Sequence, residues 1–293
     1  MMTLIEQASH HAKYHEEKEA KMKHLEEKFE KLKEIIEGYA PVAIAFSGGV
    51  DSTFLLKVAY DLLGDKACAI TVNSPYIATW EIDEADALTK TWGVEHMHLN
   101  FGLPEAIKMN PENRCYLCKT EIFSAIKTFA REHDFREVLD GSNADDLLDY
   151  RPGMKALKEL DIKSPLLEAG FTKEEIRTLS KKMGLPTWDK PPYACLLTRL
   201  PYHTEIVVED IRKIETAEKF LMDRGIKGVR VRKHDKLARI EIAHQEFDKI
   251  LDAALMSEIN LAFKAIGFSH VTLDLGGYQM GNFNQDVKRG ETS

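Results

Sequence analysis

The chain has 293 residues, 44% hydrophobic and 30% charged, a globular composition long enough for a catalytic domain and a smaller companion. No stretch approaches the roughly 18 apolar residues of a membrane span, and the opening MMTLIEQASHHAKYHEEKEAK lacks the apolar core of a secretory signal, so the chain is expected in the cytoplasm. A net charge of -8 argues against a surface that coats phosphates, and so against nucleic acid as the main partner.

In chain order, residues from about 10 to 38 are rich in Glu, Lys and His, and Leu25, Phe29, Leu32 and Ile36 recur at spacings of three and four. That pattern predicts an amphipathic helix, with His10, His11 and His15 on a solvated face. The chemistry changes at Pro41: the apolar run Val42 to Phe46 breaks into Ser47-Gly48-Gly49, then helical periodicity resumes through Phe54, Leu55, Val58 and Leu62. This reads as strand, glycine turn, helix. A second strand, Cys68 to Val72, ends in Asn73-Ser74-Pro75; a helix from about 79 to 91 leads to a strand near Glu95 to Leu99. A helix over about 119–132 then leads to a strand at Glu137 to Leu139 that stops at Asp140-Gly141. Alternating strands and helices predict a parallel α/β sheet, with ligands at the carboxyl ends of its strands, where the three polar breaks fall.

After Gly184-Leu185-Pro186 and Lys190-Pro191-Pro192-Tyr193 the rhythm changes. Helices are expected over 208–224 and about 245–266, a hairpin from Val229–Arg232 and Leu237–Ile242 around His234-Asp235-Lys236, and a last strand at Val271 to Leu275, together a small α+β module; the last dozen residues are expected to be loose. The division is therefore an N-terminal helical extension at 1–39, a nucleotide-binding domain at 40–190 and a C-terminal domain for substrate binding and oligomerisation at 191–293.

Ser47-Gly48-Gly49-Val50-Asp51-Ser52-Thr53 sits between a strand and a helix, where backbone N–H groups converge on an anion at the positive helix end. It is neither the dinucleotide fingerprint nor a P-loop, and the string itself contains no lysine to reach a terminal phosphate. Asp51 is informative because a carboxylate beside a phosphate is repulsive unless a divalent cation lies between them, so ATP with Mg2+ is expected, held by Ser47, Gly48, Gly49, Asp51, Ser52 and Thr53 and by Ser74 and Gly141 at neighbouring strand ends. The bland alternative is an ordinary capped helix start.

The string S-G-G-V-D-S resembles the pyrophosphate loop of the ATP pyrophosphatases, which cleave ATP between its α and β phosphates. Further strings narrow the likeness: Asp140-Gly141-Ser142-Asn143-Ala144-Asp145-Asp146, Asp149-Tyr150-Arg151-Pro152-Gly153, Arg199-Leu200-Pro201-Tyr202, Val229-Arg230-Val231-Arg232 and Thr272-Leu273-Asp274-Leu275-Gly276-Gly277. Together, over about residues 40–282, they resemble the LarE family of ATP-dependent sulfur transferases. The resemblance implies a PP-loop fold of the adenine nucleotide alpha hydrolase type and adenylylation of a pyridinium dicarboxylate mononucleotide. Thiolation toward the nickel-pincer nucleotide cofactor would follow, in a homo-oligomer supplied with sulfide or another sulfur donor.

Four cysteines are too few for a disulfide scaffold. Cys68 lies in the apolar run Ala67-Cys68-Ala69-Ile70 and is assigned to the core. Cys115-Tyr116-Leu117-Cys118 and Cys195 stand in two loops, and on pattern alone the choice of zinc, cluster or redox dithiol is open, His203 being an unforced fourth ligand. The family resemblance implies a 4Fe-4S cluster on Cys115, Cys118 and Cys195, with one iron left for exogenous sulfide. Arg230 and Arg232 alternate on a strand, and the resemblance joins them to Arg199 and Glu218 as a grip on the substrate phosphate. Asp145 and Asp146 are balanced between an acceptor or cation site and a helix cap. The rivals are a tRNA thiolase with a similar cluster and a non-catalytic nucleotide- or zinc-binding protein.

Overall fold

The computed structural model describes residues 4–147, 152–192 and 194–278. The side chains of His10, His11 and His15, the string Asp149-Tyr150-Arg151, Tyr193 and the tail from residue 279 lie outside the described residues. The chain divides into two compact units. The first is drawn from Met1–Val72, Ile82–Leu99 and Lys119–Lys190, the second from Asn73–Glu81, Asn100–Cys118 and Pro191–Ser293.

The elements contributing to the first unit are α1 (Leu4–Tyr39), β1 (Val42–Ala45), α2 (Val50–Leu63), β2 (Ala67–Asn73), α3 (Thr79–Trp92), β3 (His96–Asn100), α4 (Arg114–Glu132), β4 (Glu137–Leu139), α5 (Pro152–Glu159), α6 (Pro165–Glu168) and α7 (Lys173–Lys182). The strands form one sheet in the order β3-β2-β1-β4, with β1 parallel to both its neighbours, Val42 opposite Ala67 and Glu137. Being covered on both faces, β1 and the first six residues of β2 are almost continuously buried, Cys68 fully so. Leu25, Leu32 and Ile36 make the buried stripe of α1, as their spacing requires, and Phe29 meets Phe54 of α2 at 6.2 Å between ring centroids. Among the described residues no helix is long and apolar enough to cross a membrane.

The second unit is completed by α8 (Val208–Met222), β5 (Arg230–His234), β6 (Leu237–Glu241), α9 (Phe247–Ile250), α10 (Ala253–Ile266) and β7 (His270–Leu273). β5 and β6 form the expected antiparallel hairpin, its turn made possible by Asp235 in the left-handed region (φ 52°), and β7 joins β6 in parallel. Leu221, Val231, Ile240 and Phe263 meet in its core.

Three expectations are corrected. The helix expected over about 245–266 is interrupted at Leu251-Asp252, because the Asp252 side chain accepts a hydrogen bond from Leu255 N (2.9 Å) and caps a new helix there. The helix expected from about 119 begins at Arg114, which moves Cys115 and Cys118 onto its first turns. The last strand ends at Leu273, and Leu275 is left 79% exposed.

Candidate functional site

The glycine loop belongs to the first unit. Gly48 lies at φ 64°, a conformation that a side chain disfavours, and Gly49 starts α2 without any side-chain cap. The hydroxyls that would otherwise cap the helix are turned on each other: Ser52 Oγ donates to Gly49 O (3.3 Å) and lies 3.1 Å from Ser47 Oγ. The first N–H groups of α2 are thus not closed off by a side chain, as an anion site needs. At the end of β4 the backbone of Gly141 passes so close that a Cβ there would sit 3.0 Å from Ser52 N and 3.1 Å from Asp51 Cβ.

Asp51 is buried. Its Oδ2 accepts from Lys173 Nζ, while among the described residues its Oδ1 has no hydrogen-bond partner. Burial pushes the Asp51 carboxyl above the ordinary range, against the opposing pull of Lys173. A buried carboxylate oxygen without a donor suits a cation, so the residues present fit Mg2+. Lys173 was not legible in the loop string. It arrives from the start of α7, and Lys190 Nζ similarly reaches Gly48 O at 2.9 Å and Glu84 at 2.5 Å. Lys173 had no signal of its own in the sequence, and Lys190 was marked only as part of the turn Lys190-Pro191-Pro192-Tyr193.

Asp145 and Asp146 make local bonds: Asp146 Oδ2 accepts from Asn143 N (3.0 Å), and Asp145 Oδ2 from Lys173 N (2.9 Å) at the start of α7. Of the two readings weighed for them, these contacts are those of the cap. Ser74, in the second unit, is buried just beyond β2, where its carbonyl accepts from Ile77 N at 3.0 Å.

The second unit holds all three candidate cysteines. Cys115 and Cys118 stand on the first turns of α4, and Cys195 opens a short 3-10 turn, Leu196–Arg199. Two ties bring the loops together. Asn110, at φ 47°, donates from Nδ2 to Leu200 O and Pro201 O (3.2 and 2.6 Å), and Leu196 N donates to Tyr76 O (3.0 Å). The Tyr76 hydroxyl lies 3.4 Å from Cys118 Sγ and feels the charge of Cys195 as well, while Cys195 in turn feels Cys115. Burial holds the Cys195 thiol above its ordinary value and Cys115 adds to this, whereas Arg114 and Arg199 pull it down.

Among the described residues, the three sulfurs are not among the ligand atoms gathered within 4.8 Å of one another, the spacing at which three groups share one ion. Three thiols with Arg114 and Arg199 acting on Cys195 are a donor set of the kind that holds iron–sulfur centres or zinc. His203, the unforced fourth ligand, is engaged with Glu112 Oε1 at 3.2 Å.

The three arginines fold around the Cys195 loop. Arg199 binds Glu218 through two hydrogen bonds and gives Nη1 to Ala194 O, Cys195 O and Thr198 Oγ1. Arg230 donates to Pro192 O (2.6 Å), and Arg232 to Thr198 O (2.6 Å) and to Glu241 Oε1 (2.5 Å). All three are buried, which removes the reading of Arg230 and Arg232 as arginines solvated on a surface strand.

No protein-family model matches the chain. It is 42% identical over 89% of its length to an uncharacterized protein of Synechocystis sp., of which it covers 98%. It is 36% identical over 85% of its length to the pyridinium-3,5-bisthiocarboxylic acid mononucleotide synthase of Lactiplantibacillus plantarum, of which it covers 91%. A more distant likeness, 27% over 67% of the chain and 68% of the relative, is to a glutamine-hydrolyzing GMP synthase component of Pyrococcus abyssi, in keeping with a PP-loop fold.

Proposed function

The chain belongs to the LarE family of PP-loop, ATP-dependent sulfur-transferring enzymes, and from that premise we propose that it activates the carboxylates of a pyridinium-3,5-dicarboxylate mononucleotide with ATP and converts them to thiocarboxylates. The observation that carries this reading is the gathering of Cys115, Cys118 and Cys195 in one unit, linked through Tyr76 and flanked by Arg114 and Arg199.

A bare carboxylate carries a poor leaving group, so the oxygen must first be derivatised. A substrate carboxylate oxygen attacks the α phosphorus, the bond to the β-phosphate oxygen breaks, and pyrophosphate leaves toward the N–H groups at the start of α2. Asp51, whose Oδ1 has no hydrogen-bond partner among the described residues, would hold Mg2+, which would supply positive charge to the phosphates, and Lys173 stands beside it as a second source of positive charge for the departing pyrophosphate. Ser47, Gly48, Gly49, Ser52 and Thr53 form the phosphate cradle, with Gly141 shaping its wall and Ser74 completing the ATP-binding set. Sulfide then attacks the acyl carbon and AMP departs, one ATP being consumed for each carboxylate. Cys115, Cys118 and Cys195 would hold a 4Fe-4S cluster, which would supply an iron without a protein ligand as the place for exogenous sulfide.

The substrate phosphate is assigned to Arg230 and Arg232, which exchange loop carbonyls for phosphate oxygens. Arg199 and Glu218 hold the Cys195 loop in place while they do so. The working assembly is a homo-oligomer.

Anaerobic purification with iron and acid-labile sulfide quantified, followed by single Cys→Ala variants, tests the reading. Iron in the parent and its loss from all three variants are expected; stoichiometric zinc in its place overturns the cluster. Pyrophosphate release that depends on the pyridinium dicarboxylate is expected in the same preparation, and a preparation that releases pyrophosphate only with tRNA overturns the substrate.

A further inference from the structure

A trio of potential ligands lies in the first unit, outside everything used above. Asp86 on α3 and His96 and His98 on β3 place one ligand atom each within 4.8 Å of one another. The cause is simple geometry: residues two apart on a strand share a face, so both imidazoles of His96-Met97-His98 turn toward the same stretch of α3, their ring centroids 4.5 Å apart. Asp86 Oδ1 lies 2.9 Å from His96 Nδ1 and 2.9 Å from His98 Nε2.

Hydrogen-bond bookkeeping at His96 decides what this arrangement means. The Thr71 hydroxyl donates to Phe46 O (2.7 Å), so its oxygen accepts from His96 Nε2 at 2.7 Å. That fixes the proton of a neutral ring on Nε2. The ring is the buried member of the trio, its side chain 8% exposed. His96 Nδ1 therefore presents a lone pair. Thr89 Oγ1 is 3.0 Å away but, in the usual manner of a helical threonine, donates back to Ala85 O at 3.0 Å. A nitrogen lone pair and a carboxylate oxygen facing each other at 2.9 Å repel unless something positive lies between them.

We infer that Asp86, His96 and His98 bind a divalent transition-metal ion of the zinc type, a site separate from the three-cysteine centre. Two imidazole nitrogens and one carboxylate oxygen are a borderline donor set suited to such an ion. Around tetrahedral zinc, with bonds of about 2.0–2.2 Å, ligand atoms stand roughly 3.3 Å apart, so an opening of a few tenths of an ångström admits it. The second sphere is already built: metal-bound imidazoles donate their other N–H to an oxygen, as His96 does to Thr71. The same hydroxyl donates to the carbonyl of Phe46, the residue before Ser47, so an ion here braces the base of the glycine loop. Asp86 and His98, with side chains 48% and 35% exposed, leave the ion a route in from solvent.

The test uses the full-length, tag-free chain carrying Cys115→Ser, Cys118→Ser and Cys195→Ser, so that thiols cannot supply the signal. Zinc chloride is titrated by calorimetry, with the melting temperature followed in parallel. One equivalent of zinc and a raised melting temperature are expected. Asp86→Asn and His98→Ala, both at exposed positions, should each weaken binding at least tenfold while circular dichroism stays unchanged. Thr71→Val, which removes only the second-sphere oxygen, should weaken it about 10- to 100-fold. Absence of zinc binding in the triple-serine chain, or undiminished affinity after Asp86→Asn and His98→Ala, overturns the site.

Discussion

Arg199 and Glu218 face each other as a doubly hydrogen-bonded pair, Nε to Oε1 at 2.8 Å and Nη2 to Oε2 at 3.1 Å, both side chains 2% exposed. Glu218 Oε1 also accepts from Val231 N at 2.9 Å, so one carboxylate joins α8, β5 and, through Arg199, the carbonyl of Cys195. Glu218→Ala would leave a buried guanidinium unpaired and is expected to cost about 3–5 kcal/mol. The check is the denaturant midpoint of the second transition or, if only one appears, of the whole chain. The double change Arg199→Met with Glu218→Leu should recover most of that stability yet still lower iron content, because the Cys195 loop loses its anchor.

Asp51 and Lys173 give a prediction with a sign in pH. Only the ionised carboxylate binds a cation. Burial raises the pKa of Asp51 and Lys173 opposes this, so Lys173→Met raises it further. At mildly acidic pH fewer molecules then carry the anion, and the acid limb of the pyrophosphate-release profile should move to higher pH. Asp51→Asn should lower release by roughly 10²–10³ at every pH, on the scale of a lost preorganised electrostatic contact. An unmoved acid limb in Lys173→Met would remove Lys173 from the site.

Gly141 tests how closely the end of β4 must approach the loop. A methyl group there needs Ser52 N and Asp51 Cβ to yield by a few tenths of an ångström, and both belong to the first turn of α2, which is poorly able to shift. Gly141→Ala should weaken ATP binding about tenfold, or roughly 1.4 kcal/mol, while the fold persists. Calorimetric titration with ATP and magnesium provides the measurement.

Lys28 of α1 reaches Glu175 of α7 at 2.9 Å, with side chains 18% and 24% exposed, where Glu175 also closes a capping box with Thr172. Burial pushes the Glu175 carboxyl up, but the bonds from Lys28 and Thr172 outweigh it and leave the group below the ordinary glutamate value of 4.5. For a carboxyl lowered in this way, the stabilisation is full above 4.5 and fades as pH falls through the lowered value. Lys28→Met should therefore cost up to about 1 kcal/mol near neutrality, and its melting temperature should converge on that of the parent as pH drops below 4.5. A constant difference at all pH values would assign the contact to packing.

Much of the fold follows from local pattern. The alternation around Val42 to Leu62, the glycine break and the hairpin about Asp235 are short-range effects of burial period and backbone freedom, so neighbouring residues carry the whole signal. Tertiary structure decided what depends on meeting across long sequence gaps: Lys173 at Asp51, Asn110 under Leu200, the three arginines turned onto the Cys195 loop, and Asp86 with His96 and His98. Such pairings leave no period in the chain. They are set by which strand ends and helix starts the sheet order brings together, and each lone Lys, Arg or His reads the same whether it ends in water or in a site.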